Sequence, residues 1–149
     1  IERYDLAQRF APKAESPEHL RYRFWMHYAE GSFMPPLLIS LVLSRLRRAP
    51  MPFFAKPIAN GLVSGAMTQF VGPQLKLHSD YVESELAQRP WFAGEAFSAA
   101  DIQMSFPVEA ALARSGKTPR PRMQDFLERI HARPAYQRAL VVGGPFDLH

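Results

Sequence analysis

His27-Tyr28-Ala29-Glu30 sets an imidazole and a carboxylate three residues apart, on one face if the segment is helical. A carboxylate-bridged metal pair needs several more carboxylates and a second histidine on facing helices, and no matching motif occurs. No metal site is expected. His78-Ser79-Asp80 holds the three residue types of a hydrolytic relay, but helical neighbours point apart and cannot pass a proton. Arg45-Leu46-Arg47-Arg48 is a basic cluster suited to the negative end of a helix dipole. A phosphate-binding role would need more such clusters on one face, and no glycine-rich phosphate loop is present. The chain has no cysteine, so disulfides, thiolate zinc sites and a cysteine nucleophile are excluded within these residues.

The elements that position these residues follow from pattern. With 149 residues and 47% apolar content, one domain can bury a core without disulfides or metal. Eighteen basic and 14 acidic residues give a net charge of +4, scattered rather than clustered, so no nucleic-acid partner is expected. No apolar run approaches the roughly eighteen residues of a membrane span, so no membrane partner is expected either. The opening Ile1-Glu2-Arg3-Tyr4 reads as the last turn of a helix rather than as a signal peptide.

Ser16-Pro17 suits a helix start, with the hydroxyl as N-cap and proline in the first turn. Helical spacing then runs from Glu18 to about Arg48 through Leu20, Phe24, Tyr28, Leu37, Leu38, Leu41 and Val42, with a bend at Pro35-Pro36. A second long helix is expected from about Pro57 to Leu86, with Ile58, Leu62, Phe70, Leu77, Tyr81 and Leu86 on one face and a kink or break at Pro73. Gly61 and Gly65 permit a close backbone approach. A third helix, about Ala99 to Arg114, is apolar nearly all round and so should be buried on most sides, with Gly116 as a left-handed cap. A fourth, about Pro121 to Ala132, carries the stripe Met123, Phe126, Leu127 and Ile130, and a short helix follows Pro134. No segment alternates at period two. The fold class is all-α.

Phe97-Ser98-Ala99-Ala100-Asp101-Ile102 is the most informative local pattern. Ser98 at the N-cap makes Asp101 the N3 residue, so the pair forms a capping box, and Phe97 and Ile102 fall where a hydrophobic staple closes. Capping and folding are the expected role of Asp101, and its replacement by alanine should cost about 0.5–2 kcal/mol, or more if the cap is buried.

In this setting the sequence resembles the C-terminal helical domain of cytosolic glutathione transferases. Trp25 to Ser32 followed by Pro35-Pro36-Leu37 resembles the first helix of that domain, in the bacterial and fungal form with a Tyr-x-Glu-Gly-Ser stretch. Pro90-Trp91-Phe92-Ala93-Gly94 and Phe97 to Ile102 resemble the approach to its buried central helix, and Arg133 to Ala139 its closing helix. The resemblance implies a bundle with two long antiparallel helices and a buried central helix. Residues 1–16 would be the end of an N-terminal-domain helix plus a linker, and 17–149 the helical domain.

Function follows as an expectation. The parent would be a cytoplasmic, dimeric detoxification enzyme that joins glutathione, its co-substrate, to an apolar electrophile. The thioredoxin-like domain that binds glutathione and activates its thiol has no counterpart in these residues. No catalytic residue is therefore expected here, and the isolated chain should be inactive. The family places the electrophile pocket on the first helix, here around Tyr28, Ser32, Phe33 and Met34. Tyr28 and Ser32 share a face, and Tyr28 can donate a hydrogen bond to the electrophile. Tyr28 and Phe33 as core or dimer-interface aromatics is the competing assignment. Glu30 is the candidate to reach across a homodimer to the glutathione amino group, or else a solvated surface residue. The rival function is a non-catalytic protein-interaction module of the same fold.

Overall fold

The computed structural model describes residues 5, 7, 9–114, 116 and 118–144, and every regular element among them is helical. The reading of Ile1 to Tyr4 as a helix end lies outside the described residues.

Two long helices form the frame, and both contain the same device. The first runs as α1 (Pro17–Tyr28), a π turn (Ala29–Phe33) and α2 (Met34–Arg48). The second runs as α3 (Lys56–Ala66), a π turn (Met67–Val71) and α4 (Gly72–Leu86). Each π turn sits immediately ahead of proline, at Pro35-Pro36 and at Pro73. Proline supplies no amide to the α ladder, and the wide turn reroutes the bonds, with Met34 donating to Ala29 O and Gly72 to Met67 O. The expected bend and the expected kink are therefore two instances of one solution. The long helices run antiparallel, α2 against α3 and the first π turn against α4.

The central helix α5 (Ala99–Leu112) buries Ala99, Ala100, Asp101, Met104, Pro107, Val108, Ala110 and Ala111. It packs on α1 and on α6 (Pro121–His131), whose Met123, Phe126, Leu127 and Ile130 are all buried as the stripe predicts. Helix α7 (Pro134–Gly143) closes the chain. Gly116 adopts φ +61°, the left-handed conformation expected beyond α5.

One local expectation needs correction, and the structure decides which face of each long helix turns inward. Ser16 occupies the N-cap position of α1 with extended backbone, but its buried hydroxyl makes no capping bond among the described residues. Along the first helix the residues in the core are Tyr22, Trp25, Ala29, Phe33 and Leu37, whereas Leu20 is 76% exposed and Phe24, Leu38 and Val42 are also open. Along the second, Val63, Val71, Val82 and Leu86 are inward, while Ile58, Leu62, Phe70 and Leu77 are exposed. Each long helix thus has two apolar faces, and helical spacing alone does not say which one turns inward.

Candidate functional site

The π turn of the first helix brings the candidate residues to one place. Tyr28 ends α1 just before the turn, and Gly31 and Ser32 lie within it. An open groove of about 600 Å³ follows the outer side of α1, lined by Leu20, Phe24, His27, Tyr28, Gly31 and Ser32. A second groove, about 270 Å³, runs between α2 and α4 past Gly31, Ser32, Pro36, Phe70 and His78. The two meet at Gly31-Ser32. Ser32 is therefore the hydroxyl common to both.

Tyr28 sits at that junction in an aromatic cluster. It stacks on Phe24 at 5.4 Å and meets Trp25 edge-on at 5.0 Å and Tyr81 at 5.6 Å. Its hydroxyl lies 2.6 Å from Nδ1 of His78, whose ring approaches Phe33 as well. Burial, with the nearby Tyr81 phenol, pushes the Tyr28 hydroxyl far above its ordinary value, so it stays protonated. Burial also pulls His78 below its ordinary value, which favours the neutral imidazole. A neutral imidazole and a phenol share one hydrogen bond and keep hydrogen-bonding capacity for a molecule in the groove.

The other candidates separate. Phe33 is 0% exposed and belongs to the core beneath the grooves. Met34 is half-buried and packs against the same core. Glu30 points away from the grooves' lining and accepts from Nε2 of Gln103 at 2.8 Å, tying the π turn to α5. Helical geometry predicts that His78, Ser79 and Asp80 point apart, and those three do diverge. His78 turns to Tyr28, Ser79 is buried, and Asp80 pairs with Arg120 and Lys76. The pairing of His78 with Tyr28 has no signal in the sequence, because nothing local links residues on two different helices. No group of three His, Asp or Glu side chains among the described residues could hold a metal ion.

Asp101 is the buried polar anchor of the domain. One carboxylate oxygen accepts from Phe92 N at 2.8 Å, the other from Ser98 N at 2.7 Å and from Ser98 Oγ at 3.0 Å. Burial raises its carboxyl above the ordinary value even though the bonds from Phe92 and Ser98 oppose that shift. The capping box extends into a clamp on the preceding loop. The staple does not take the expected form: Phe97 packs on Phe10 and Trp91 under the Arg133 guanidinium, while Ile102 is 54% exposed.

The same loop is held from other sides. Arg129 donates to Pro90 O at 2.6 Å, and Arg21 pairs with Glu85 at 2.5 Å while reaching Phe92 O. Residue Phe10 accepts from Ala99 N at 2.8 Å, so the segment before α1 is tied to the start of α5.

Residues 67–134 match the family model for the glutathione S-transferase C-terminal domain. Glutathione S-transferase 3 of Schizosaccharomyces pombe is 39% identical over 103 residues, covering 68% of this chain and 42% of that protein. Glutathione S-transferase 1 of Saccharomyces cerevisiae is 28% identical over 130 residues, covering 83% of this chain and 56% of that protein. A glutathione S-transferase crystal structure from Actinobacillus pleuropneumoniae matches 99% of this chain and 61% of its own, with TM-score 0.70 and 27% identity. The chain thus spans about half the length of the curated relatives it matches.

Proposed function

Because this chain carries the C-terminal helical domain of the glutathione transferase family, we propose that it forms the electrophile side of a glutathione-conjugating enzyme. The observation that supports this reading is the Tyr28–His78 pair at the meeting of two apolar grooves, with the Ser32 hydroxyl beside it. Glutathione, the co-substrate, reacts as its thiolate, and a domain outside this chain would hold and activate it. The groove residues supply proximity and a partly dried surface for the electrophile. With Nδ1–H of the neutral His78 donating to the Tyr28 oxygen, the Tyr28 O–H stays free to donate to a carbonyl, nitro or similar group as negative charge develops there. Leu20, Phe24 and Phe70 give the surrounding apolar contact.

Met34 acts from behind, packed under the turn that sets Ser32. Glu30 holds that turn through Gln103, and in a dimer its free oxygen can meet the glutathione amino group of the other subunit. The exposed apolar residues of both long helices supply the surface for a homodimer. Detoxification in the cytoplasm is the setting that suits this chemistry. No helix among the described residues is long and apolar enough to cross a membrane.

The test is turnover by the full-length parent with glutathione and an electron-poor aryl halide. Conjugation that drops about tenfold or more in Tyr28→Phe, at unchanged glutathione affinity, supports the assignment. A folded parent with no turnover toward a panel of aryl halides and enones would favour the non-catalytic interaction module.

A further inference from the structure

Sharing no lining residue with the two Tyr28 grooves, a recess of about 270 Å³ opens between α4, the end of α5 and the segment leading into α6. Its polar lining is Lys76, Ser79, Arg114, Thr118 and Arg120: three cations, two hydroxyls and no carboxylate among the described residues. Asp80 stands beside it and pairs with Lys76 Nζ and with Arg120 Nη2, each at 2.6 Å. Three cations against that single carboxylate leave two positive charges in excess.

Arg120 makes the recess more than a basic patch. The residue is only 7% exposed, and its Nε has no hydrogen-bond partner among the described residues. Asp80 holds its guanidinium in place, which leaves a fixed and largely desolvated cation in the wall of the recess, where an anion gains most from the charge. The first turn of α6 does not compete for such an acceptor. Glu83 already takes the amides of Arg122 at 2.9 Å and Met123 at 3.0 Å.

We propose that this recess binds a phosphate group, either free or as the end of a phosphorylated small molecule. A tetrahedral oxyanion offers acceptors in several directions at once. That suits an Arg fork, a second guanidinium, a lysine point charge and two hydroxyls converging from three elements. A planar carboxylate would satisfy fewer of these donors. The site is separate from the Tyr28 grooves and stands whether or not the transferase reading does.

The experiment measures the thermal midpoint of the chain in rising inorganic phosphate, against sodium chloride at matched ionic strength. Binding to the folded state gives a saturable rise in phosphate only. Lys76→Gln, at a largely exposed position, and Arg114→Gln should each raise the half-saturating concentration by about tenfold, the scale of one lost charge-assisted bond. Their midpoints in chloride show that they still fold. Glycerol 3-phosphate distinguishes the source: tighter binding than phosphate points to a phosphorylated metabolite, equal binding to the free ion. Equal midpoints of the parent chain in phosphate and chloride, or an unchanged phosphate response in both variants, would overturn the proposal.

Discussion

The Tyr28 hydroxyl and the His78 imidazole, fifty positions apart in the chain, lie 2.6 Å from one another across the two long helices. Tyr28 precedes the first π turn and His78 follows the second, so the contact reports whether both turns are formed. Tyr28→Phe keeps the ring and removes the bond. It should lower stability by about 0.5–1.5 kcal/mol, measured by denaturant unfolding. A loss well beyond that would mean the ring packing had changed too.

His78 also gives the fold an acid-sensitive component. Its folded value is below its ordinary one, so between the two the unfolded chain binds the proton more readily. Stability from the neutral ring is complete above the ordinary histidine value, about 6.5, and falls as pH drops below it. The thermal midpoint of the parent should therefore fall more steeply from pH 7 to pH 5 than that of His78→Gln. Parallel slopes would remove His78 from this account.

Asp101 carries a larger stake. Alanine there strands two buried amides, Phe92 N and Ser98 N, and the Ser98 hydroxyl. With about 1–3 kcal/mol for each stranded group and partial relaxation, Asp101→Ala should cost about 2–4 kcal/mol. Asparagine offers one acceptor where two oxygens are used, so Asp101→Asn should recover only part of that loss. A denaturation midpoint within error of the parent's would refute the clamp.

Gly72 tests the second π turn. A Cβ built there meets Met67 O at 2.8 Å, the acceptor of the bond that closes the turn. Gly72→Ala should cost about 1–3 kcal/mol, as overpacking against backbone does. Gly31, in the first turn, has nothing within 4 Å of such an atom, so Gly31→Ala should leave stability equal or slightly higher. Comparing the two midpoints checks that the turns differ in tolerance.

Glu83 caps α6 from another helix, with its two oxygens on the amides of Arg122 and Met123. Glu83→Ala should cost about 0.5–2 kcal/mol, as loss of an ordinary N-cap does. Amide hydrogen exchange at Arg122 and Met123 should accelerate with it. Unchanged protection there would assign the cap elsewhere.

Signals confined to neighbouring residues were the legible ones. The prolines marked both breaks in the long helices, and the stripe from Met123 to Ile130 named the inward face of α6. Ser98 and Asp101 announced the start of α5, although their reach to Phe92 was not written locally. The long helices leave their inward face open, because Leu20-Phe24 and Tyr22-Trp25-Ala29 are both apolar sets at helical spacing. What decides between them is the partner surface, α5 and the 90–97 loop, which no single segment encodes. For the same reason Glu83 as the cap of α6, and His78 as the partner of Tyr28, had no signature.

The paired π turns also set a phase. Each takes up one residue beyond an ordinary α turn, and in a plain α-helix one residue more or less rotates everything downstream by about 100°. The wide turn absorbs that surplus, so Leu37 and Ser40 beyond the first turn keep their inward direction. Deleting one residue within Ala29–Phe33 would let the turn close as ordinary α-helix with α2 still in mesh. Deleting one from α2 before Leu37, where there is no such slack, would instead bring the exposed Leu38 to the direction that Leu37 now takes.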